Sequence, residues 1–280
     1  MSTIERPDTS GDLGNSSRVS EYWAKQSEEA RASRSVWINN TIVANHIYRL
    51  ISGGSPAHWL PWFMDQYLGG RTTFENSLSL CCGDGAHEIA LYQTGKVHNI
   101  HGFDISEGAI ASTKSKFQAA AVPPEHYHFE VGDANNLKLQ GSYDLILSSG
   151  ALHHVANLEG LLTNISSALT INGYFVVVEY VGPNRFQWTD RQIALINGIS
   201  GSFDIRYLKD HKRVEPGPPL SDFIAIDPSE AVRSEDILPL LHQYFTGGYL
   251  KNFNGAIAHQ LYPLLNPELT NAGQLISIPS

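Results

Sequence analysis

Apolar residues change their spacing along this chain, and the changes divide it into parts. Over residues 19–70, Trp37, Ile38, Ile42, Val43, Ile47, Leu50 and Ile51 recur at three- and four-residue steps, which gathers them on one helical face. Trp59, Leu60, Trp62 and Phe63 continue that face after the break Gly53-Gly54-Ser55-Pro56. Across residues 71–182 short apolar runs take over, predicting strands at 76–82, 99–103, 127–131, 143–148 and 173–180. Helical stretches at 86–92, 108–121 and 158–169 separate them. Strands joined by helices of this length imply right-handed βαβ crossovers and a parallel sheet, so the fold class is α/β, doubly wound and Rossmann-like.

Both ends depart from that rhythm. Residues 1–18 are small and polar with no apolar period, and read as a disordered tail ahead of the N-terminal helices. Beyond Gly182, Pro216, Pro218, Pro219 and Pro228 punctuate a polar, aromatic-bearing stretch, so 183–235 is expected to be an insertion or substrate cap. Residues 236–280 then complete the core: 237–245 helical or mixed, 248–253 a candidate strand, 256–265 helical. The run Leu275-Ile276-Ser277-Ile278 offers a last strand, expected to be antiparallel.

Charge narrows the function. With 19 Lys and Arg against 28 Asp and Glu the net charge is −9, and no basic cluster forms the footprint that a nucleic-acid partner requires. No apolar run approaches the ~20 residues that span a bilayer, and the first residues lack the basic and apolar regions of a leader. The expectation is a cytoplasmic protein without membrane or nucleic-acid partners. Cys81 and Cys82 are adjacent, which keeps them from ordinary disulfide geometry and fits a reducing compartment.

Open parallel sheets bind ligands outside the carboxyl ends of their strands, and three loops there carry chemistry. Leu80-Cys81-Cys82-Gly83-Asp84-Gly85 follows the first strand, with glycines that let the backbone turn and approach a ligand. Asp104 ends the second strand, where a carboxylate can accept from both hydroxyls of a ribose. Gly132-Asp133-Ala134 follows the third, where Asp133 could accept from the amine of an adenine. Each alone is ordinary turn or cap chemistry; their order within βαβ units is what makes them specific. A dinucleotide site is disfavoured, because Glu88 stands where the third glycine of that fingerprint belongs and would oppose a pyrophosphate at the helix N-terminus.

These motifs, with Tyr143-Asp144-Leu145-Ile146, Ala151-Leu152-His153-His154-Val155 and the run 169–178, resemble the class I S-adenosylmethionine-dependent methyltransferases of small molecules over residues 76–182. The resemblance implies S-adenosylmethionine as cofactor, held by Cys82, Gly83, Gly85, Asp104, Ile105, Asp133, Ala134 and Ser149, with Tyr22 and Trp23 folding over it. Two departures stand out. Ser79 occupies the place of the family's acidic residue, removing a contact to the methionine amino end, and Cys81 occupies that of a glycine, which implies a backbone reorganised to carry a Cβ.

The resemblance sets the loop after the fourth strand beside the transferable methyl group. His153 and His154 there titrate in the useful range and are candidate bases, with Glu179 as the third. Tyr180, Asn184, Arg185 and Trp188 could line an acceptor pocket, or the aromatic stretch could be a plain surface cap. The pairs His98/His101 and His126/His128 come with no recognisable ligand pattern, so no metal is expected. A nucleophilic Cys82 is a further option on paper. Residues 227–234 are similar to a stretch in bacterial methyltransferases of glycan clusters, which points first to a sugar or glycan hydroxyl. The alternatives are a natural-product methyltransferase and an inactive, cofactor-binding partner subunit.

Overall fold

The computed structural model describes residues 19, 20, 22, 40–55, 58–68, 73–209, 219–253 and 255–266. The chain divides into two compact units, one of residues 1–28, 71–185 and 219–248, the other of 29–70, 186–218 and 249–280. The expected cap is therefore shared between them.

The first unit is built on β1 (Phe74–Leu80), β2 (Val97–Asp104), β3 (Tyr127–Val131), β4 (Tyr143–Ser149) and β5 (Leu169–Val178). They form one sheet in the order β3-β2-β1-β4-β5, and each pairing is parallel. Leu145, Ile146 and Leu147 of β4 are buried in succession, as a strand covered on both faces requires. On one face Leu78, Leu80 and Ile146 join Leu158, Leu161, Leu162 and Ile165 of the helix Leu158–Ala168, and Ile237 of the helix Ser234–Tyr244. Toward β3, Phe117 of the helix Glu107–Ala119 meets Phe129 edge-on at 4.8 Å between ring centroids. Because β1 lies between β2 and β4, the strand order reverses there, and the carboxyl ends of those strands are where a sheet of this kind binds ligands.

The closing strand expected from the sequence is not borne out. Among the described residues no antiparallel strand joins the sheet; residues 248–253 have no regular structure, and Leu275 to Ile278 lie outside the described residues. Tyr249 and Leu250 are more than half exposed, so their apolar pattern has no sheet face to pack against. Residues 237–245 resolve into the helix Ser234–Tyr244.

The second unit holds the helices Thr41–Ser52, Trp59–Gln66, Asp190–Gly201 and Ala258–Leu261. Asn40 caps the first by accepting from the amides of Ile42 and Val43, and Gly53 ends it at φ 76°. Thr189 and Gln192 form a reciprocal capping box at the start of Asp190–Gly201. No helix among the described residues is long and apolar enough to cross a membrane.

The turn after β1 depends on one glycine. A Cβ on Gly85, at φ 77°, would lie 2.6 Å from Thr113 Cγ2, and Thr113 is fully buried with its hydroxyl donated to the Gly83 carbonyl at 2.9 Å. Gly85→Ala is expected to destabilise the protein by about 2–4 kcal/mol, combining left-handed backbone cost and overpacking. Urea unfolding measures it; adding Thr113→Ala should recover the overpacking part, and an unchanged midpoint in the single variant would refute the close approach.

Candidate active site

The loop leaving β1 turns sharply, with Cys81 at φ 49°, Gly83 at φ 55° and Gly85 at φ 77°. Cys81 thus stands in the left-handed region, and the reorganised backbone expected from its Cβ is not found. The turn keeps a glycine-like shape and the cysteine bears the cost, about 1–2 kcal/mol. Burial, followed by the carboxylates of Asp104, Glu179 and Asp133, pushes the Cys81 thiol well up; burial and Glu88 do the same to Cys82. Both stay as thiols, which removes the basis for a nucleophilic cysteine. The same electrostatics show three carboxylates from three strand ends converging on one loop.

Asp104 is 8% exposed and tied to this loop: its Oδ2 accepts the Gly83 amide at 2.9 Å and its Oδ1 the Ser106 amide at 2.9 Å. Each oxygen keeps a further lone pair. Burial raises the Asp104 pKa, against the pull of the two amides. The neighbouring Ile105 carbonyl accepts the Ser20 hydroxyl at 3.1 Å, bringing helical residues Val19, Ser20 and half-buried Tyr22 to the end of β2. Trp23 lies outside the described residues. Asp133 closes a turn after β3, accepting from the Asn135 amide at 2.9 Å and the Asn136 side chain at 3.1 Å; Ala134 is buried and Ser149 ends β4.

The loop after β4 carries the titratable cluster. Glu179, with its side chain 2% exposed, accepts the amides of Ala151 and Leu152 on Oε1 at 2.7 and 2.6 Å and the Tyr180 amide on Oε2 at 2.7 Å. Its Oε2 also meets His153 Nδ1 at 2.5 Å, while His153 Nε2 faces Glu230 Oε1 at 3.3 Å. Burial alone would lower the His153 pKa, but the charge and hydrogen bond of Glu179, with Glu230, push it up to about 10. His153 is therefore an imidazolium at neutral pH. Its neighbour differs: burial and the His153 charge lower the His154 pKa and keep it neutral. Its Nδ1 lies 3.3 Å from Ser229 Oγ, and that hydroxyl donates to Asp227 Oδ1 at 2.7 Å. With its one hydrogen committed to Asp227, Ser229 accepts from His154 Nδ1–H, so Nε2 is the basic nitrogen.

The three candidate bases thus differ: Glu179 accepts from several amides and from His153, His153 is held as a cation, and His154 is held neutral. Asn184 and Arg185, expected in an acceptor pocket, instead anchor the loop that brings Asp227, Ser229 and Glu230. Asn184 Oδ1 accepts the Glu235 amide at 3.0 Å, and Arg185 donates from Nη1 to the carbonyls of Pro228 at 2.5 Å and Glu230 at 3.2 Å. Tyr180 is half-buried, with its ring 6.5 Å from that of His153 and its phenol pushed up by burial. Trp188 belongs to the second unit, where it stacks on Phe186. Asp227, Ser229 and Glu230, which contact the two histidines, are not among the residues that the sequence points to; the one signal for them is the similarity of residues 227–234 to a stretch of other methyltransferases.

Two groups bring three possible metal-ligating atoms within 4.8 Å of one another: His153, His154 and Glu230, and separately His101, His128 and Glu130. The second revises the expectation for the surface histidines, since Glu130 accepts from His101 Nε2 at 2.9 Å and lies 3.6 Å from His128 Nε2. His128 and Glu130 are neighbours on one face of β3, but His101 joins them only across the β2–β3 pairing, which the sequence does not show.

Parts of this chain are similar to known proteins. Residues 75–207 match a family described as a methyltransferase domain. A demethylmenaquinone methyltransferase of Leptospira interrogans is 30% identical over 113 residues, 40% of this chain and 45% of that protein. This chain thus spans less than half the length of that relative. Among solved structures, an S-adenosylmethionine-dependent methyltransferase from Mesorhizobium loti is 27% identical over 44% of this chain and 57% of its own, with a TM-score of 0.37. A phosphoethanolamine N-methyltransferase from Haemonchus contortus, holding phosphoethanolamine and S-adenosylhomocysteine, is 15% identical over 60% of this chain and 33% of its own, with a TM-score of 0.43.

The His153 clamp predicts a pH signature. A group whose pKa is raised on folding contributes its full stability below the unfolded value, about 6.5, and loses it as pH rises through the folded value, about 10. Urea titrations of wild type and His153→Gln should show the wild-type advantage shrinking between those limits, by at most about 1.4 kcal/mol per pH unit. A constant difference would show that the imidazolium is not held there.

Proposed function

We propose, for a chain whose residues 75–207 match a methyltransferase domain, that it is an S-adenosylmethionine-dependent enzyme that methylates a hydroxyl of a small acceptor, first among them a sugar or glycan. The observation that carries the reading is the neutral His154, oriented by Ser229 and Asp227 at the carboxyl edge of the sheet.

The residues present fit the cofactor. Asp104 keeps acceptor capacity for ribose hydroxyls beside a loop whose Gly83 has nothing within 4 Å of where a Cβ would stand. When bound, S-adenosylmethionine supplies an electrophilic methyl group on a sulfonium. The chain's task is then alignment and removal of one proton. With the methyl group transferred to the acceptor oxygen, His154 Nε2 would take up the hydroxyl proton. Glu179 holds the loop, and His153 with Glu230 fixes the ring beside His154, their centroids 4.0 Å apart. The Leptospira relative favours a second reading, in which the acceptor is ring-bearing like demethylmenaquinone.

Turnover separates these from a partner subunit without catalysis: formation of S-adenosylhomocysteine with a glycoside or with a quinol identifies the acceptor, and cofactor binding with neither supports the subunit. Calorimetry should detect S-adenosylhomocysteine and not NAD. Asp104→Ala should weaken that binding by about 2–4 kcal/mol through two charge-assisted hydrogen bonds lost, and an unchanged dissociation constant in a folded variant would contradict the assignment. His154→Gln should lower kcat at least about 100-fold with cofactor affinity within a few-fold. In the wild type the rate should climb with pH through a value below about 6.5, since burial and His153 depress the His154 pKa. A variant with near-wild-type kcat would exclude His154 as the base.

A further inference from the structure

The family's acidic residue at the end of β1 is replaced here by Ser79, yet a carboxyl group occupies the same neighbourhood from another element. Glu88 lies in the first turn of the helix Ala86–Gln93, at the position that disfavoured a pyrophosphate. An acidic residue in that turn is ordinarily a solvated partner of the helix dipole. This one is 2% exposed, and its Oε1 accepts the Ser79 hydroxyl at 2.5 Å. Ser79 is itself 2% exposed.

The carboxyl is incompletely matched. Glu88 Oε2 is sealed from solvent and has no hydrogen-bond partner among the described residues. Asp84 and Asp104 add negative charge nearby, opposed by the hydrogen bonds of the Ser79 hydroxyl and the Glu88 amide. Such a group is costly as an anion unless a positive charge complements it. Burial first, set against the Ser79 hydrogen bond, moves its pKa up to about 7, so little free energy separates its two forms at neutral pH. It lies beneath the loop of residues 81–85, between β1 and the helix that the loop enters.

We propose that the Ser79–Glu88 pair is the acidic anchor for the ammonium group of the cofactor's amino-acid moiety, the carboxylate having been transposed from the strand to the facing helix. This rests on the cofactor reading above. The Ser79 hydroxyl, its hydrogen committed to Glu88, keeps acceptor capacity for a further donor, and the Glu88 charge behind it supplies the attraction that Asp would have supplied directly.

The experiment compares two ligands that share a nucleoside. S-adenosylhomocysteine carries the ammonium group; 5′-methylthioadenosine lacks the amino-acid moiety. Calorimetric titration of Glu88→Gln should show S-adenosylhomocysteine weakened about 10- to 100-fold, a charge-assisted contact of roughly 1.5–3 kcal/mol, with methylthioadenosine within about 3-fold. Moving the carboxylate back, in Ser79→Asp/Glu88→Gln, should restore most of the loss. In the unaltered protein the ratio of the two affinities should fall as pH drops below about 7, the value to which Glu88 is raised, a readout that needs no variant to fold. Equal loss of both ligands, no loss of S-adenosylhomocysteine, or a pH-independent ratio overturns the anchor while leaving the cofactor reading intact. A wild-type protein that binds neither ligand overturns both.

Discussion

Glu179 sits where the sheet's carboxyl edge needs a buried acceptor. The 3₁₀ turn Leu152–His154 begins with amides that have no partner within the turn, and Glu179 reaches across from the end of β5 to take those of Ala151 and Leu152. Register makes this possible: Ser149 pairs with Val178, and the Gly150 amide donates to the Val178 carbonyl at 2.8 Å, which leaves the next side chain facing the turn. Unpartnered, each amide would cost about 1–3 kcal/mol. The same carboxylate holds His153 as a cation, and that charge in turn helps keep His154 neutral. One buried anion therefore sets loop position and the protonation of two histidines.

The loop of residues 227–234 completes the cluster and is itself held by strained backbone. Arg185 and Ala231 both occupy the left-handed region, at φ 55° and φ 47°, and the Arg185 amide donates to the Ala231 carbonyl at 2.7 Å. Non-glycine residues persist there only where their surroundings over-determine them, and such strain gathers at working sites. The surroundings here are the Arg185 bonds to the Pro228 and Glu230 carbonyls, the Val232 amide on the His153 carbonyl at 2.9 Å, and the two-pronged pairing of Arg233 with Glu159 at 2.6 and 2.7 Å. Two arginines that look from composition like surface charge are fasteners of the loop that supplies Asp227, Ser229 and Glu230.

Much of this was legible along the chain. The alternation of runs such as Leu145-Ile146-Leu147 with helical stretches specified a parallel sheet, and Asp104, ordinary cap chemistry by itself, stood out through its order with the glycine turn and Asp133 at successive strand ends. Cys81 misled, because residue preference argues for a changed backbone where the closed turn, pinned by Thr113 and Asp104, imposes the old one. The final strand misled for the opposite reason: an apolar pattern at 248–253 says nothing of whether a sheet edge is within reach.

What the sequence determined by itself is what depends on neighbours in the chain: the period of apolar residues, the caps, the glycine turn, and the order of loops at the sheet edge. Tertiary structure alone decided which histidine is held neutral and which carboxylate is buried against Ser79. His154 meets Ser229 across 75 positions and Ser79 meets Glu88 across an intervening turn, and protonation follows from burial and charge at those contacts. No local pattern encodes either, because an ionisable group responds to everything within a few ångströms, whatever its distance along the chain.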